Sequence, residues 1–78
     1  MTELELGEIM ILETLAAGKT LNDVPVVMDA RGHYVASACE IKMLLERGYM
    51  DYDPLRTPRN MITEAGRKAL EQYHKNKS

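Results

Sequence analysis

Leu44-Leu45-Glu46-Arg47-Gly48-Tyr49-Met50 and, a short loop later, Ile62-Thr63-Glu64-Ala65-Gly66-Arg67-Lys68-Ala69-Leu70 decide how this chain folds. Gly48 can enter the left-handed backbone region without a Cβ penalty, so it ends the helix that leads into it. Tyr49 to Tyr52 then reads as a short strand, and Met61 with Ile62 as its returning partner. Pro54 and Pro58 confine the basic loop from Asp53 to Asn60 to turns. Thr63 is a good helix cap, and Glu64 suits the positive end of the dipole of the helix that follows. Ala65, Ala69, Leu70 and Tyr73 supply that last helix with apolar contacts, and residues 75–78 are expected to fray.

Upstream, Val35 to Arg47 has helical periodicity. Ser37 or Ala38, Ile41, Leu44 and Leu45 fall inside, while Glu40, Lys42, Glu46 and Arg47 fall largely outside. The run from Leu4 to Ala17 predicts a central helix with a broad apolar surface: Leu4, Ile11 and Leu15 form one stripe, and Ile9, Leu12 and Ala16 its neighbour. Gly18 ends it. Between these helices, Thr20 to Val35 supports two readings. Val24, Val26 and Val27 favour a strand, with Asp29-Ala30-Arg31-Gly32 as a hairpin turn. Alternatively Asn22 caps a short helix, Pro25 sits in its first turn and Gly32 closes it.

The two motifs quoted first resemble the end of MarR-type and PadR-type winged-helix regulators. Leu21 to Gly48 can be laid without gaps on the helix-turn-helix of those families, with Val26, Val27 and Ala30 at core positions. That register favours a helix over the hairpin. Glu40 departs from the pattern, standing where a core aliphatic is usual, and Gly32 and His33 occupy the turn. The resemblance implies a mainly α fold with a small antiparallel β wing (α+β): three helices, a hairpin and a C-terminal helix, as one winged-helix domain over residues 1–78.

Composition bounds the function. Seventy-eight residues, 45% hydrophobic and 28% charged, suit one folded domain. Its core must be aliphatic, because the chain lacks Trp and Phe and has only four Tyr. A single cysteine, Cys39, forms no internal disulfide, and the N-terminal segment lacks a secretory pattern, so a cytoplasmic location is expected. Every hydrophobic run is interrupted before the roughly 20 residues a membrane span needs. His33 and His74 have no metal-ligand spacing, Asp51 and Asp53 have no His, metal ligand or second carboxylate cluster beside them in sequence, and nothing pairs a nucleophile with its activator. Neither an enzyme, a cofactor nor a metal site is expected.

Two binding roles remain. In the winged-helix arrangement the third helix enters the major groove and the wing reaches the backbone. On that reading double-stranded DNA would meet Arg31, His33, Ser37, Lys42, Arg56 and Arg59, in a small transcriptional regulator that pairs as a homodimer. The third helix nevertheless lacks the Arg, Asn or Gln that make bidentate base contacts. The net charge is -2, and Glu3, Glu5, Glu8 and Glu13 make the first helix acidic. These features speak for an alternative, a winged-helix module for protein–protein interaction of the kind a phage or mobile element carries, with Glu5 and Glu8 on its contact surface, while the two motifs and the basic wing keep DNA binding the first expectation.

Overall fold

The apolar stripes of the first helix meet as expected. A computed structural model describes residues 4–51 and 61–77, and in it α1 (Leu6–Ala16) packs against α2 (Ala38–Glu46), α3 (Glu64–Lys77) and a short 3-10 turn, Leu21–Asp23. Ile9, Ile11, Leu12 and Leu15 are buried on α1, and Leu44, Met50, Ile62 and Leu70 close the core around them. Each such aliphatic burial contributes ~1.5–3 kcal/mol, which is how so short a chain holds together. The described residues are mainly helical, with strand pairing limited to two isolated bridges.

Both glycine stops form as the sequence predicts. Gly18 has φ 81°, and the N–H groups of Gly18 and Lys19 donate to the carbonyls of Leu15 and Thr14. Gly48 has φ 75°, with Gly48 and Tyr49 donating to Leu45 and Leu44. In each case two orphan helix carbonyls are satisfied by a left-handed residue and its successor.

Two other glycines serve close packing. A Cβ on Gly7 would strike the Val35 carbonyl and approach Glu40 Cγ to 2.9 Å, so Gly7 lets the chain entering α2 lie against α1. A Cβ on Gly66 would strike the Tyr49 carbonyl, so Gly66 seats α3 against the exit from α2. Thr63 completes that junction: its hydroxyl donates to the Gly48 carbonyl at 2.6 Å and accepts from Gly66 N–H at 3.0 Å.

Residues 20–35 correct the expected second helix. After the 3-10 turn the chain extends through Pro25, and Met28 pairs with Tyr34 in an antiparallel bridge. Asp29 N–H donates to the His33 carbonyl, and Val35 N–H to that of Val27, both at 2.8 Å. The turn is held by Asp29 Oδ1, which accepts from the N–H groups of Arg31 and His33, and by Gly32 at φ 81°. Short polar side chains that bond backbone two residues on favour such turns over helices, and the β-branched valines suit the extended arms. Val26, Val27 and Ala30, placed in the core by the family register, are exposed.

Two smaller expectations are also revised. Helix α2 begins at Ala38, later than Val35, because Ser37 caps it. Leu45 is exposed, whereas Arg47 and Glu40 are half-buried. Helix α3 runs from Glu64 to Lys77.

Where the wing was expected, Met50 and Ile62 form one antiparallel bridge, flanked by bonds from Asp51 N–H to the Met61 carbonyl (2.7 Å) and from Thr63 N–H to the Tyr49 carbonyl (3.1 Å). The loop itself, residues 52–60, lies outside the described residues.

Candidate functional site

The residues expected to meet DNA separate into three kinds. Arg31 and His33 sit on the hairpin tip, their backbone N–H groups bound to Asp29 and their side chains exposed. Lys42 is exposed on α2. Ser37 is occupied: its hydroxyl donates to Glu40 Oε2 at 2.8 Å and accepts from Cys39 N–H at 3.3 Å, so it caps α2 from a half-buried position. That arrangement also accounts for Glu40 in place of an aliphatic residue, since the carboxylate serves the cap while its stem lies over Gly7. Arg56 and Arg59 fall outside the described residues.

The acidic face proposed for a protein partner is also altered. Glu8 is fully buried, and both its oxygens accept from Arg47 Nη1, at 3.0 and 2.9 Å. Oε1 accepts in addition from Glu5 N–H at 3.0 Å, which ties the ion pair to the start of α1. Glu8 is therefore an internal fastener of α1 to the end of α2 and is not available to a partner. Glu5 is exposed, Glu13 Oε1 lies 3.1 Å from His74 Nε2 of α3, and Glu3 is outside the described residues.

A surface that the sequence reading did not single out is apolar. Val26 is 81% exposed, Met28 54% and Tyr34 54%. Residues two apart in an extended strand share a face, and directly opposed residues share it too, so these three side chains lie on one side of the hairpin. Val26-Val27-Met28 is apolar at every position, so no alternation marked one face, and the helical register assigned Val26 and Val27 to the core. Monomeric soluble proteins seldom cluster large apolar side chains on a projecting element without a use for them.

Among the described residues, no group of three or more His, Cys, Asp or Glu is placed to hold a metal ion, and no helix is long and apolar enough to cross a membrane. Cys39 is exposed in the first turn of α2. Asp23, at the end of the 3-10 turn, accepts from Thr20 N–H at 2.8 Å and from its hydroxyl at 3.0 Å. Chiefly the backbone bond, then the hydroxyl, with nearby Lys19 adding to both, lower its pKa below the ordinary carboxylate value. The chain matches no protein-family model, no curated protein and no solved structure.

Proposed function

We propose that this domain is a protein-interaction module, and that the hairpin from Val24 to Ala36 presents its contact surface. The observation that carries this reading is the hairpin itself. It stands where a helix-turn-helix needs its second helix, and it presents Val26, Met28 and Tyr34 to solvent. A recognition helix is aimed into the major groove by the helix before it, and α2 has a hairpin there. The exposed side chains of α2 include Cys39 and Lys42 but no Arg, Asn or Gln, which weakens base reading further.

The DNA reading retains one specific support, the exposed cations Arg31 and Lys42 with His33 beside Arg31 on the tip, to which Arg56 and Arg59 of the expected wing would add. Anisotropy titration with random duplex DNA at low and high salt separates the two. The protein-binding reading predicts no saturation in the ~10⁻⁶–10⁻⁴ M range typical of nonspecific DNA binders. Saturation that weakens steeply with salt, with a slope flattened by Arg56→Ala and Arg59→Ala, would overturn it. On the positive side, a stoichiometric partner co-purified with the chain should bind the purified protein in calorimetry, and Tyr34→Ser should lose that binding while keeping the wild-type circular dichroism spectrum.

A further inference from the structure

The hairpin has an open edge as well as an apolar face. Val27 C=O and Asp29 N–H both point across to the second strand, where they bond Val35 N–H and His33 C=O. The backbone groups of Met28, lying between them, therefore point outward, as alternation in an extended chain requires, and those of Val26 follow in the same direction. Among the described residues neither Val26 nor Met28 has a backbone hydrogen-bond partner. The opposite strand is less open, because Val35 is packed against Gly7 of α1. Exposed strand edges are usually blunted by charge or proline; Val24 to Met28 carries no charge, and its Pro25 alternates with the inward-facing Val27, which leaves the outward groups of Val26 and Met28 open.

We propose that this edge pairs antiparallel with the same edge of a second copy of the chain, about a two-fold axis at Val27. Such pairing sets Val26 of one copy opposite Met28 of the other, so that each outward N–H meets an outward C=O. It also joins the two apolar faces into one. The uncharged strand makes the contact self-complementary, since no like charges face each other along it.

The ends of the strand favour the same occupant. Antiparallel pairing about Val27 carries the strand start of each copy, where Asp23 ends the 3-10 turn, toward the hairpin tip of the other, where Arg31 is exposed. Asp29, the acid on that tip, has Oδ1 turned to the backbone of the turn, and Lys19 lies near Asp23. Asp23 is held likewise, by Thr20 through Oδ2, and Arg31 is the exposed cation of the tip. The inference deepens the protein-binding reading by naming one occupant of the hairpin, the edge being used by the second copy and the joined face left to another protein.

Sedimentation equilibrium of the full 78-residue chain over a wide concentration range tests it. Wild type should show a concentration-dependent monomer–dimer equilibrium. Val26→Lys, at a position too exposed to disturb the core, should weaken it by about tenfold or more. Arg31→Glu and Asp23→Lys should each weaken self-association, and mixing these two variants should restore a dimer, because each opposes the other's new charge. A wild type that stays monomeric to about 1 mM, a dimer indifferent to Val26→Lys, or a mixture no tighter than its components would each overturn the edge pairing. These outcomes leave the duplex DNA titration and the Tyr34→Ser calorimetry unaffected, so failure here and failure of the protein-binding reading are distinguishable.

Discussion

Arg47 reaches back across the fold to Glu8, one guanidinium nitrogen lying within 3.0 Å of both oxygens of a carboxylate that solvent does not touch. The pair joins the C-cap of α2 to the first turn of α1. Removing one member strands a buried charge. Arg47→Ala should therefore cost about 3 kcal/mol in urea unfolding, at the low end for a broken buried pair because Arg47 keeps some solvent contact. Glu8→Leu combined with Arg47→Met should cost less than Arg47→Ala alone. The opposite order would show that the pair stabilises by more than avoiding an unpaired charge.

Gly66→Ala tests the seat of α3. In an ordinary helix interior this change stabilises by up to ~1 kcal/mol, since Gly is the poorer helix former. Here the added methyl meets the Tyr49 carbonyl, and the protein should lose about 2 kcal/mol as backbone is forced aside. A gain in thermal stability would contradict the packing described.

Thr63 should behave as both cap and clasp. Thr63→Val keeps the shape but removes the hydroxyl that accepts from Gly66 N–H and donates to Gly48 C=O. A loss of about 1–2 kcal/mol is expected in denaturant unfolding, while Thr63→Ser should stay close to wild type.

The pH response of the 3-10 turn follows from Asp23. Its pKa is lowered in the folded chain, so its contribution is present above the unfolded carboxylate value and is lost as pH falls through the lower folded value. Carbon-detected NMR titration should place its midpoint below those of ordinary aspartates. Thr20→Ala should raise that midpoint only part of the way, because the larger influence, Thr20 N–H, remains. An Asp23 midpoint at the ordinary value in wild type would contradict the turn geometry.

What was legible in the sequence was what is decided locally. Gly18 and Gly48 stop their helices, Thr63 caps the last one, and the broad apolar surface of residues 4–17 marks the central helix, because each signal acts within a turn of its own position. The Glu8–Arg47 pair spans 39 residues, and in the sequence periodicity placed Arg47 outside while the acidic run placed Glu8 on a contact surface. Ser37 read as a surface contact because its capping role depends on where α2 begins.

The segment from Thr20 to Val35 contained both answers. Asn22, Pro25 and Gly32 punctuate a short helix as plausibly as they punctuate a hairpin. The gapless register on a helix-turn-helix tipped the balance toward the helix by placing Val26 and Val27 inside. In the structure Asp29 captures two turn amides and the valines extend, leaving Val26 and Met28 on the surface. The surface that supports the proposed function was therefore hidden by the same inference that suggested a family.

The most direct test of this account is the backbone of residues 24–36 in solution. Directly opposed residues in a non-hydrogen-bonded antiparallel pair bring their Cα atoms within ~4.5 Å, so a strong Hα–Hα nuclear Overhauser effect between Met28 and Tyr34 is predicted, with slowed amide exchange at Asp29 and Val35. Consecutive amide–amide contacts and helical Cα shifts from Val24 to Arg31 would contradict it, restoring the helix-turn-helix and the DNA reading with it.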